Sequence, residues 1–143
     1  MIIISHRGYE NGEDQSKENN PLQIKKMLNM NIHVEIDVLY NGGLFLGHDE
    51  PQYEIDIDFL KHEKLWCHAK NLEALDIMLK NDIHCFWHQN DDYTITSRGF
   101  IWAYPGMELT QNCICVLPEL NKEIDFSNCY GICTDYPVKY LKE

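Results

Sequence analysis

The chain has 143 residues, 44% of them hydrophobic, with 12 basic and 23 acidic side chains for a net charge of −11. That length supports one domain with a real core and is too short for two ordinary ones, so residues 1–143 are read as a single domain. The negative charge repels a phosphate backbone over most of the surface and argues against nucleic-acid partners, while a local cluster of Arg, Lys and a divalent cation still admits a small phosphate-bearing molecule.

The amino terminus enters the apolar run Met1 to Ile4 and reaches His6 at once. It has no basic n-region, long apolar h-region or small-residue cleavage site, so no secretory signal is expected. Nowhere does an apolar stretch approach the roughly 20 residues that span a bilayer. The expectation is a cytoplasmic protein without a membrane span.

A first β-run covers Ile2 to Ser5. Pro21 to Met30 then places Leu22, Ile24, Met27 and Leu28 on one helical stripe, with Pro21 near its start. His33 to Leu39 reads as a strand, Asn41-Gly42-Gly43 as a hairpin turn, and Leu44 to Gly47 as the return strand. Leu65 to Lys70 is a further strand, followed by a helix over Asn71 to Lys80 with Asn71 as its cap. Four β-runs follow at Ile83 to His88, Tyr93 to Thr96, Phe100 to Tyr104 and Cys113 to Leu117. Tyr130 to Thr134 is the last, with a short helix after Pro137. The six cysteines fall mainly inside apolar runs and form no CxxC pair, so they read as buried free thiols in a reducing compartment.

Alternation of β-runs with helices predicts α/β organisation with parallel strands. Setting the hairpin strand aside leaves eight runs, the number of a closed (β/α)8 barrel, but such barrels typically take about 250 residues. The predicted fold is therefore a reduced or incomplete (β/α)8 TIM-type barrel with several crossover helices missing. A second subunit is expected to cover the apolar surface this exposes, giving a homo-oligomer.

Residues two apart on a strand share a face. Ile2, Ile4 and His6 align, as do His33, Glu35 and Asp37; Trp66, His68 and Lys70; His84, Phe86 and His88; and Cys113, Cys115, Leu117 and Glu119. On several runs the titratable member comes last, at the carboxyl-terminal mouth where such sheets keep their sites. Glu35 and Asp37 are hard oxygen ligands suited to Mg²⁺ or Ca²⁺. Imidazole as a side-chain type titrates near neutrality, so His6 and His48 suit proton exchange with an attacking or departing oxygen. Arg7 and Lys70 are cations for phosphate oxygens. Together these types describe metal-assisted hydrolysis of a phosphodiester.

In order, His6-Arg7-Gly8, Glu18-Asn19 opening a helix, Glu35 to Val38, the hairpin ending in His48-Asp49, and the late Thr134 to Pro137 resemble the glycerophosphodiester phosphodiesterases, within the wider phosphatidylinositol-phospholipase-C-like group. The resemblance is dense from His6 to Asp49 and patchy afterwards. It implies an eight-stranded barrel, one divalent cation held by Glu35 and Asp37, and His6 and His48 as the acid/base pair. It also implies Arg7 on the phosphate and Glu18 lining the same site. Where the family carries an ExK motif, whose Glu completes the metal site, this chain has His68-Ala69-Lys70. Lysine is retained, and the missing ligand is expected to be His68, with Glu119 second. A His ligand shifts preference toward Mn²⁺ or Zn²⁺. Trp102 is the expected contact for the glycerol moiety, and His88 with Gln89 the residues that select the alcohol. The rival readings are a non-catalytic barrel that binds a phosphorylated ligand and a zinc hydrolase of another ester or amide.

Overall fold

The computed structural model describes residues 1–141. Its strands are β1 (Ile2–His6), β2 (His33–Tyr40), β3 (Leu44–Leu46), β4 (Tyr53–Glu54), β5 (Leu65–Ala69), β6 (Cys85–Phe86), β7 (Tyr93–Ile95), β8 (Ile101–Ala103), β9 (Cys113–Val116) and β10 (Gly131–Thr134). The helices are α1 (Pro21–Asn29), α2 (Leu72–Lys80) and α3 (Pro137–Tyr140). Local chemistry accounts for the first two. Asn20 caps α1 by accepting from Leu22 N–H ahead of Pro21, and Asn71 caps α2 by accepting from Ala74 N–H. Such caps are each worth about 1 kcal/mol.

All ten strands join one mixed sheet, curled into a half-barrel. Seven run parallel in the spatial order β6, β5, β2, β1, β10, β9, β8. β7 adds antiparallel to β8, and β3 and β4 form an antiparallel extension from β2. Beyond Glu35 the edge of β2 passes from β1 to β3, so β1 and β2 part at their carboxyl ends. Asp37 lies in that opening. Its backbone N–H is taken by Asn19 Oδ1 at 2.9 Å and its carbonyl by Gly47 N–H at 3.1 Å.

Alternation along the strands divides the core. Outward-facing Val34, Ile36, Val38, Leu65, Cys67 and Cys85 pack with Ile24 and Met27 of α1 and Ala74 and Met78 of α2. The concave face is filled by Ile4, Trp66, Phe86, Trp102, Ile114, Val116 and Cys133. Three large aromatic side chains in that layer plug the half-barrel, leaving an open mouth at each end of the parallel strands.

The expected (β/α)8 barrel is not what forms. Only α1 and α2 are helices that connect parallel strands of the sheet, β1 to β2 and β5 to β6; the other parallel strands are joined through loops, 3-10 turns and the antiparallel strands β3, β4 and β7. A complete barrel needs a helix after each of eight strands, and this chain has three helices in all among the described residues. No ladder joins β6 to β8 among the described residues; the β7 hairpin fills the gap, with Ser97 N–H donating to Cys85 O and Thr94 Oγ1–H to Trp87 O. Strand parity also departs from expectation on β9. Ile114 and Val116 face the concave side, while Cys113 and Cys115 pack outside with Cys129 and Ile132. Leu117 then adopts φ 49° and resets the alternation before the 3-10 turn Pro118–Leu120. The six cysteines are free and buried. No helix of the described residues is long and apolar enough to cross a membrane.

Candidate functional site

The carboxyl ends of β1, β2, β5 and β6 surround a cavity of about 300 Å³. His6, Arg7, Glu35, Asp37, His48, His68, Lys70 and His88 all line it. Four of the seven histidines therefore meet at this mouth, with Arg7 and Lys70 beside them. The two carboxylates are almost wholly inaccessible to solvent, Glu35 at 2% and Asp37 at 1% exposure.

Register brings the acid and base groups together. Pairing of β1 with β2 sets His6 beside Glu35, and pairing of β2 with β5 sets Asp37 beside His68. His68 Nδ1 lies 3.6 Å from Glu35 Oε2 and 3.4 Å from Asp37 Oδ1. Its other nitrogen is 2.8 Å from the carbonyl of His88, which accepts the Nε2 proton and leaves Nδ1 facing the carboxylates. Without a cation, burial disfavours charge on His68, but the carboxylates of Asp37 and Glu35 beside its Nδ1 outweigh this and raise its pKa to about 9. Burial works against the charge of Asp37 as well, yet His68, Arg7 and Asn19 together hold its pKa below the usual carboxylate range.

One ligand atom each from Glu35, Asp37 and His68 lie within 4.8 Å of one another. Asp37 Oδ1 is buried and has no hydrogen-bond partner. A buried, unpaired carboxylate oxygen beside a second carboxylate and an imidazole nitrogen fits a divalent cation. Glu119 does not join this group. It accepts from Thr134 Oγ1–H at 2.7 Å and from Asp135 N–H at 3.0 Å, because the turn at Leu117 points it toward β10.

Arg7 adopts φ 55°, which aims its backbone N–H at Glu35 Oε1, 3.2 Å away. Its guanidinium is held by Glu18 at 2.8 Å, with Nε 3.4 Å from Asp37 Oδ2. Glu18 also accepts from Tyr9 O–H at 2.6 Å. Glu18 therefore sits behind Arg7 as its anchor and is not part of the cavity wall. Trp102 is buried under the cavity against Phe86 and Trp66, so it forms floor as much as contact surface. His88 lines the wall next to Tyr104, and burial followed by the charge of His68 lowers its pKa. His48 lies on the rim, partly exposed, with Nδ1 2.9 Å from Asp49.

Two residues without an assigned role in the sequence reading prove central to the geometry. Asp135 Oδ1 lies 2.6 Å from His6 Nδ1, across 129 residues of sequence. Burial lowers the basicity of His6, but the bond to Asp135 and the charge of Glu35 overcome it and raise the pKa. Asn19 clamps Asp37 twice, through its backbone N–H and through Oδ2 at 3.0 Å. Their signal was the Thr134 to Pro137 and Glu18-Asn19 motifs themselves, since Asp135 follows the strand beside β1. Gln89 and Tyr104 also line the cavity, with Leu117 and Leu120 on its apolar side.

Comparison with family models, with curated proteins and with solved structures finds no match to this chain.

Proposed function

We propose that the protein is a metal-dependent phosphodiester hydrolase acting on a small, glycerophosphodiester-like substrate. The observation that carries this reading is the convergence of His6, His48, Arg7 and Lys70 on one cavity with the Glu35, Asp37 and His68 cluster. The ordered motifs that resemble the glycerophosphodiester phosphodiesterases support the same reaction. The six free, buried cysteines support a reducing compartment such as the cytoplasm.

In the proposed reaction Glu35, Asp37 and His68 hold one divalent cation, which supplies charge stabilisation for the non-bridging phosphate oxygens. Mg²⁺ and Ca²⁺ suit the two carboxylates, and Mn²⁺ or Zn²⁺ suits the imidazole. Arg7, fixed by Glu18, and Lys70 bind the phosphate. Asp135 accepts the Nδ1 proton of His6, leaving Nε2 as a base toward the cavity. His6 takes the proton of the attacking hydroxyl, from water or the neighbouring alcohol, as oxygen bonds to phosphorus. The opposite P–O bond breaks, and protonated His48 donates to the departing alkoxide. The pair then exchanges roles or re-equilibrates with water.

Chelator-treated protein reloaded with Mg²⁺, Ca²⁺, Mn²⁺ or Zn²⁺ is to be assayed on glycerophosphocholine, glycerophosphoethanolamine and bis(4-nitrophenyl) phosphate. Turnover with at least one metal, lowered at least about 100-fold in folded His6→Ala and His48→Ala, is the expected result. Stabilisation by phosphate without turnover of any substrate replaces it with a binding module.

A further inference from the structure

The opposite mouth of the half-barrel has its own cavity, of about 310 Å³. It is built at the amino-terminal ends of the parallel strands and in the loops before them, and the layer of Trp66, Phe86 and Trp102 separates it from the site above. Its walls are aromatic. Trp66 lies 4.3 Å from the His84 ring and 5.1 Å from Phe100, and Phe100 lies 4.6 Å from Tyr130, all between ring centroids.

The polar groups of this cavity are mostly donors. Trp66 Nε1–H donates to His33 Nδ1 at 3.1 Å, so the neutral His33 ring carries its proton on Nε2. His84 Nε2 is tied to Thr96 Oγ1 at 2.8 Å, and Thr96 Oγ1 also accepts from Phe100 N–H, which fixes the His84 ring beside Trp66. The His33 Nε2–H has no hydrogen-bond acceptor among the described residues. Burial first, and then the nearby charges of Lys64 and Arg98, hold the two imidazoles near pKa 4, so both rings are neutral at physiological pH. Arg98 and Lys64 stand on the lining with one opposing carboxylate, Glu63, for a local charge of one positive unit in a chain of net charge −11.

We propose that this mouth is a second ligand site that takes a flat aromatic monoanion, with the ring against Trp66, Phe100 and Tyr130 and the anionic group on Arg98 and an imidazole N–H. A cavity of about 310 Å³ is at the lower end of the range for small-molecule sites and suits one or two fused rings. Stacking on the aromatic walls supplies the apolar part of the affinity, and the Arg98 fork supplies selectivity for a carboxylate. Glu63 disfavours a dianion such as a phosphate monoester. The site is independent of the phosphodiesterase reading.

The test is a titration of the ¹⁵N-labelled protein with 1-naphthoate and with its neutral isostere 1-naphthamide, following the Trp66 indole N–H resonance. Naphthoate is expected to give a saturable shift, with the amide at least about tenfold weaker, the value of one charge-assisted hydrogen bond. Arg98→Gln, on an exposed turn, should weaken naphthoate by a similar factor, and Tyr130→Ala should weaken both ligands. Glu35→Ala should change neither. No shift at millimolar naphthoate, equal affinity for the amide, full affinity in Arg98→Gln, or loss of binding in Glu35→Ala would each overturn the proposal.

Discussion

Asp37→Asn tests the proposed cation site most directly. Asp37 supplies one of only two carboxylates in the cluster, and its Oδ1 is buried without a partner. A cation that binds only the folded protein stabilises it by about 2.7 kcal/mol when present at about 100 times its Kd. For a domain of this size that raises Tm by about 5–10 °C. Loss of a direct ligand should cost at least the roughly 100-fold that supporting residues can cost. At the same metal concentration the variant is then near its own Kd, where the stabilisation is about 0.4 kcal/mol and the gain about 1–2 °C. Thermal unfolding of chelator-treated protein, with and without each of Mg²⁺, Ca²⁺, Mn²⁺ and Zn²⁺, measures the gain within each protein. Because Asn19 and Arg7 also touch Asp37, the metal-free Tm shifts on substitution, and only the difference between metal-free and loaded Tm is read. Absence of any rise in wild-type Tm at millimolar concentrations of every cation, or an Asp37→Asn protein that keeps the wild-type gain, would refute a cation held by Asp37.

Further expectations concern the base, a crowded strand pair and a buried imidazole. His6→Ala should lower kcat by about 10²–10⁴-fold, the range for a positioned general base, and Asp135→Asn should lower it less while moving the pH profile; steady-state kinetics at several pH values check both, and wild-type rates in His6→Ala would remove the assignment. A Cβ at Gly131 would overlap Ile2 Cγ1 and come within 2.8 Å of the Ile2 carbonyl across the β1 and β10 pair. Gly131→Ala should therefore cost about 1–3 kcal/mol, seen as a lower urea midpoint with unchanged slope, and an unaltered midpoint would mean that the strands can separate freely. His84 is 4% exposed, and burial followed by the charge of Arg98 depresses its pKa to about 4 from 6.5. A depressed imidazole adds stability that is fully present above pH 6.5 and is lost as pH falls through 4; over that window the loss is about 3 kcal/mol. His84→Gln should flatten the pH dependence between 6.5 and 4 by that amount in urea titrations, and parallel curves for the two proteins would contradict it.

Much of the site was legible because its signals are local. His33, Glu35 and Asp37 share a strand face by simple alternation, and His68 and Lys70 do so on another. The motif order therefore located most of the groups that line the carboxyl-terminal cavity. Glu119 was misplaced because alternation holds only while the strand continues, and the left-handed turn at Leu117 ends it. Asp135 received no role because its partner His6 is 129 residues away and they meet only through the parallel pairing of β1 with β10.

Helix caps, strand alternation and the hairpin at Asn41-Gly42-Gly43 depend on neighbours within a few residues, so the sequence by itself determined them. It likewise determined which acidic, imidazole and cationic side chains stand at the strand ends. Which strands pair, and whether the sheet closes, was decided only in the tertiary structure. That choice depends on how many crossover helices can cover the outer face and on how Trp66, Phe86 and Trp102 fill the inner one. With two crossover helices, the sheet curls around that aromatic layer and stops short of the closed barrel that the count of β-runs suggested.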